Sequence, residues 1–198
     1  MSTKLVTTLA LAALGLSRPA LAEDATPPRQ GLLLARAHLG LSWAGGADAN
    51  NSDILFPGLV AAFDLGVKLR PSLFLYAEAA GQIGVGFDVT TYNLAAYSGG
   101  ITYYSRDYLS VSAAVATFKI VTSDDDAGSG SNRSWDATRY GIGGTLALGG
   151  ELRTQLSPRY RTGATLLLFA GQAPDVETGS PWMAYSVSIV WTNSLDLF

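Results

Sequence analysis

The 198-residue chain has no cysteine, a single histidine (His38) and two methionines. Without thiols it can form no disulfides, so its stability must come from packing or from a membrane. Basic residues are the minority, 13 against 16 acidic. No basic patch or aromatic-basic interleaving is present, and a nucleic-acid partner is excluded on that ground. Long hydrophobic runs are missing too: no stretch of the mature chain approaches the roughly 18 apolar residues that would cross a bilayer as a helix. Yet 48% of the residues are hydrophobic.

The N-terminus reads "MSTKLVTTLALAALGLSRPALA". Lys4 supplies a positive start, Leu5 to Leu16 an apolar centre and Ala20-Leu21-Ala22 a cleavage site, the layout of a bacterial secretory signal. Residues 1–22 are therefore expected to be removed, leaving 11 basic and 16 acidic residues, a net charge of −5. Residues 23–30, "EDATPPRQ", form a polar lead-in. An exported, apolar chain with no spanning helix has one remaining way to live in hydrocarbon. It must close a β-barrel, because every backbone N–H and C=O then finds a partner inside the wall.

The punctuation of residues 31–198 agrees. Short turn signals at 69–72, 104–108 and 156–160 alternate with longer polar loops at 44–53, 84–91, 121–136 and 171–180. Between them lie eight segments, 32–43, 57–69, 73–85, 92–104, 108–120, 138–156, 160–170 and 182–191. Pro71 and Pro158 fall in turn signals, where a missing N–H is tolerated. The expected fold is all-β, an eight-stranded antiparallel up-and-down transmembrane barrel with short periplasmic turns and longer outside loops.

Period-two alternation assigns the two faces of the wall. In the first segment Leu39, Leu41 and Trp43 share one face, while Arg36, His38 and Ser42 share the other. By the same parity Arg36, Asp64, Lys68, Arg70, Glu78, Arg139, Glu151, Arg153 and Arg161 all point inward. Lys119 alone lies on the apolar face, at the outer rim, where its stem lets the ammonium reach the headgroups. A cation at the lipid midplane costs about 2–4 kcal/mol, so this bias identifies the apolar face as the lipid face. A soluble lipocalin-like barrel would show the opposite faces.

Barrels of eight strands are just wide enough to be filled by their own side chains. The interior is thus expected to be polar and packed. Arg36, Asp64, Glu78 and Glu151 would share one layer, with Lys68, Arg70, Arg153 and Arg161 nearer the periplasmic end. Outward aromatics suggest two interfacial girdles, Trp43 and Tyr140 above, and Tyr103, Tyr160 and Trp191 below.

The signal peptide, the eight alternating segments, the acidic outer loops and the charged interior together resemble the small outer-membrane barrels of the OmpA/OmpX type. The resemblance covers residues 31–198 and rests on architecture. It implies contact with outer-membrane lipid and lipopolysaccharide, folding by the barrel-assembly machinery, no cofactor, and a monomer. Phe198 is similar to the aromatic last residue of that family, although Asp196, Ser194 and Thr192 stand where the family shows apolar residues. The closing strand therefore either ends at Trp191 in "SVSIVW" or runs to Phe198.

Three roles follow from this fold: a structural or surface-interaction protein, a narrow pore, or a lipid A-modifying enzyme. Catalysis would need a nucleophile and an acid near His38. The deacylase pattern, however, places a serine two residues after its histidine, where this chain has Gly40. No catalytic residue and no metal site is expected from spacing. Asp124, Asp125 and Asp126 lack the spacing and the final Glu of a calcium loop, so a solvated outer loop with weak cation contact is the expectation.

Overall fold

A strand that alternates apolar and polar side chains presents two surfaces with opposite solvent needs, and a closed wall of such strands sorts them into outside and inside. The computed structural model describes residues 31–47, 54–85, 91–105, 109–123, 137–154, 157–174 and 181–197. They form β1 (Leu33–Ala47), β2 (Ile54–Arg70), β3 (Leu73–Val85), β4 (Thr91–Ser105), β5 (Leu109–Ser123), β6 (Ala137–Thr154), β7 (Ser157–Pro174) and β8 (Pro181–Leu197). Each strand pairs antiparallel with its neighbours in sequence, and β8 pairs with β1 to close the barrel. No unpaired edge remains.

The registers fix the shape. Across the wall, Leu33 leads through register partners to Val67, Leu75, Ile101, Ala113, Leu146, Leu168 and Val187, and returns to β1 at Trp43. The offset between Leu33 and Trp43 is the shear of the barrel. For eight strands it sets a tilt of about 40° and a backbone radius of about 8 Å. Such a lumen holds side chains and little else.

Strand parity is as expected except beyond the register shift at Lys68 and Arg70. Leu39, Leu59, Ile83, Val115, Ile142 and Ile189 face outward with more than half of their surface exposed. Arg36, Asp64, Glu151 and Arg161 are buried inward. Along the tilted wall, Tyr103 and Tyr160 stand about 25 Å below Trp43 and Tyr140, the height of a membrane barrel's apolar band.

The structure corrects the element boundaries. Residues 44–47, 121–123 and 171–174 were assigned to loops but continue β1, β5 and β7. Polar composition does not stop a ladder whose neighbours keep offering hydrogen bonds. β6 ends at Thr154, and Pro158 lies at the second position of β7 instead of in the turn. The start of a strand tolerates its missing N–H as a turn does. Pro71 is in the turn between β2 and β3. β8 runs past Trp191 to Leu197, so Trp191, paired with Leu39 and Ala164, sits near mid-wall and not in a lower girdle.

The interior differs from expectation more deeply. Its half nearer the long loops is mainly apolar, built on Phe56, Tyr92, Phe118, Ile120, Phe169 and Trp182. These residues lie mostly at or beyond the predicted strand ends, so the longer strands bring them into the lumen. Phe56 stacks on Tyr92 with centroids 5.6 Å apart, and Phe118 meets Phe169 edge-on at 5.3 Å. Glycine makes room for them: a Cβ at Gly46 would run into the Trp182 ring, and one at Gly141 into Phe118. Polar side chains collect nearer the short turns, above a small apolar cluster of Leu34, Phe74 and Tyr104.

Candidate functional site

The polar half of the lumen is one connected network. Arg36 on β1 and Asp64 on β2 are register partners. Arg36 Nε donates to both Asp64 oxygens at 2.9 Å, and Nη2 lies 2.9 Å from Oδ2. The same guanidinium reaches across the lumen to β4, where Nη2 donates to Thr102 Oγ1 at 2.9 Å and Nη1 to Tyr104 OH at 3.4 Å. Its carbon lies 5.2 Å from the Tyr76 ring centroid. Thr102 in turn bonds Ser112 on β5 at 2.8 Å. A buried charge pair repays its desolvation only with such extra hydrogen bonds.

His38 sits beside this pair, 5% exposed. Its Nε2 is 3.3 Å from Asp64 Oδ2, and its Nδ1 is 2.9 Å from Thr192 Oγ1, which bonds Thr165 at 2.7 Å. Glu78 on β3 is the register partner of Asp64, so two carboxylates lie side by side on the inner face. Glu78 accepts a hydrogen bond from Ser98 at 3.0 Å. His38, Asp64 and Glu78 present donor atoms within 4.8 Å of one another.

The other predicted charges are placed differently. Glu151 is buried and accepts from Ser194 at 2.6 Å. Arg161, 1% exposed, lies 3.9 Å from Asp196. Lys68 is half-buried at the turn end. Arg70 is exposed: the register shifts between Lys68 and Arg70, and this bulge takes Arg70 out of the interior set. The Arg153 side chain, the loop residues Asp124, Asp125 and Asp126, residues 1–30 and Phe198 lie outside what the structure describes.

Arg139 faces inward at the other end, its guanidinium 5.1 Å from the Trp182 ring centroid. Lys119 is on the outer face, its ammonium 5.8 Å from the Tyr140 ring centroid. Tyr160 donates to Asn193 Oδ1, which also accepts from Thr162 at 3.0 Å.

Sequence reasoning missed Tyr76, Ser98, Thr102, Thr165, Thr192 and Asp196. Parity marks all six as inward. The sequence leaves open whether β8 ends at Trp191 or reaches Phe198, so Thr192 and Asp196 have no assured place in the wall, and neutral hydroxyls carry no charge to attract notice. It also weighed His38 as a catalytic base lacking an acid, and the fold supplies Asp64 and the Thr192 hydroxyl beside it. This order of groups is that of a hydrolase triad, yet Thr192 is only 1% exposed inside a filled lumen. Ser42, further up the same face of β1, accepts from Gln82 Nε2 at 2.8 Å.

No protein-family model matches the chain, and comparison with curated proteins finds no match. Solved structures do match. Neisserial surface protein A aligns at 11% identity over 83% of this chain and 97% of that one, with a TM-score of 0.53. Weaker likenesses are the attachment invasion locus protein Ail of Yersinia pestis (7% identity, 80% and 97% covered, TM-score 0.46) and the outer membrane protein AlkL (13% identity, 92% and 98% covered, TM-score 0.45). The fold is that of the small eight-stranded outer-membrane barrels.

Proposed function

We propose that the chain is an integral protein of a Gram-negative outer membrane, exported by residues 1–22, in which a solute-tight barrel serves as an anchor for four acidic outer loops. The filled lumen carries this reading: aromatic rings occupy much of one half, and ion pairs between neighbouring strands, with hydroxyls that reach across the lumen, occupy the other. A barrel of about 8 Å backbone radius is just wide enough to be filled by its own side chains. The role is structural or one of surface interaction. Its partners are outer-membrane lipid and lipopolysaccharide, which the acidic loop rim would meet through bridging cations. The barrel-assembly machinery is its partner during biogenesis, and the folded protein is a monomer.

The test has two readouts. Expressed with its own signal in a Gram-negative host, the protein should fractionate with the outer membrane and change gel mobility on boiling. Reconstituted into a planar bilayer, it should leave the baseline current unchanged. Steady unit conductance would replace the anchor by the pore. A soluble periplasmic product without a mobility shift would reject the membrane reading altogether.

A further inference from the structure

We propose that His38, Asp64 and Glu78 form a structural binding site for one divalent transition-metal ion of the zinc type, taken up as the barrel closes. The starting observation is electrostatic. Asp64 and Glu78 are direct register partners on one face of an antiparallel pair. Like charges in that position are destabilising, and more so away from water. Arg36 compensates Asp64, to which its guanidinium is bound. Among the described residues, Glu78 has Ser98 as a hydrogen-bond partner and no ion pair. With both carboxylates ionised and His38 neutral, as metal binding requires, the lumen holds one more negative charge at this level than Arg36 balances.

The donor set suits a borderline cation: one imidazole nitrogen and two carboxylates, with a fourth position for water. His38 Nε2 and Asp64 Oδ2 are already 3.3 Å apart, close to the roughly 3.4 Å between ligand atoms of a tetrahedral site with bonds of about 2.1 Å. Glu78, the half-buried member with the longer stem, has its donor atom within 4.8 Å of the other two and would turn toward them to complete the site.

Each ligand also has the outer partner that metal sites require. Ser98 holds Glu78, Arg36 holds Asp64, and Thr192 holds His38 at Nδ1. When the metal occupies Nε2, the ring proton moves to Nδ1 and donates to Thr192. The Thr192–Thr165 hydroxyl pair accommodates this, because each hydroxyl both donates and accepts. The aromatic layer on one side and the Leu34–Phe74–Tyr104 cluster on the other separate the site from both mouths, so exchange after folding is slow.

The test is refolding of the full chain into detergent with and without zinc, then chelation of free and loop-bound metal, then elemental analysis. Wild-type protein should retain about one zinc per barrel and unfold at a higher temperature in the heat-modifiability assay. Retention should fall at least tenfold in His38→Gln and in Glu78→Gln, each first shown to give the folded band. A cobalt-loaded wild-type barrel should show the visible absorption of a tetrahedral nitrogen-oxygen site, a readout that needs no variant. Absence of retained zinc in the wild type would overturn the proposal. So would equal retention in both variants, which would place the ion on the loop carboxylates instead.

Discussion

The two halves of the lumen are built from the same wall at the same tilt, yet they are held by different forces. Toward the long loops, Phe56, Tyr92, Phe118, Phe169 and Trp182 fill space with rings laid partly on glycines. Nearer the turns, Arg36, His38, Asp64 and Glu78 fill it with charges tied by hydroxyls from β4, β5, β7 and β8. In the first half a lost side chain leaves a cavity; in the second it leaves an uncompensated charge. The contrast means that an inward-facing position need only be filled and satisfied, and either chemistry does so.

The sharpest break of this contrast is Arg36→Ala. It strands Asp64 in the lumen and should cost about 3–5 kcal/mol in unfolding free energy, read from urea titration of the refolded barrel. The double change Arg36→Met with Asp64→Leu should recover most of that loss, since the carboxylate that Arg36 compensates is removed with it. Failure of the rescue would mean that the network holds the barrel by more than its own charge balance.

Phe118→Ala should also cost about 3–5 kcal/mol, but as a cavity. No charge is exposed, so changing Asp64 should not rescue it. A double-mutant cycle with Phe169 should return a coupling of about 0.5–1.5 kcal/mol for the edge-on pair, and zero coupling would remove the ring contact from the account.

A smaller effect tests the outside. Leu39 is exposed near mid-wall, and Leu39→Arg should cost about 2–4 kcal/mol in lipid vesicles. In a detergent micelle, where the arginine reaches water more easily, the loss should shrink. The smallest change is expected for Lys119→Leu. This residue sits at the outer rim beside Tyr140, and below about 1 kcal/mol should separate the two proteins in the same vesicle titration.

How far the sequence reached depends on the kind of residue. The inward set Arg36, Asp64, Glu78, Glu151 and Arg161 was legible because lipid on one face penalises charge at every second position. Strand ends were less legible. Ser157 and Pro158 resemble a turn signal, and Thr192, Ser194 and Asp196 break the apolar pattern of a closing strand, but pairing across the closed wall overrides composition there. With the end of β8 left open between Trp191 and Phe198, Thr192 and Asp196 escape the interior set, and Trp191 is read at the lower rim instead of mid-wall.

The sequence by itself determined a barrel of eight strands, the direction in which most side chains face and the identity of the lipid-facing side. These follow from period two and from the energy of charge in hydrocarbon, both local to a strand. Only the tertiary structure decided which inward residues meet. Shear sets the relative heights of strands distant in the chain, placing Arg36 against Thr102 on β4 and His38 between Asp64 and Thr192. Those heights are a property of the closed wall as a whole, and no single strand carries them.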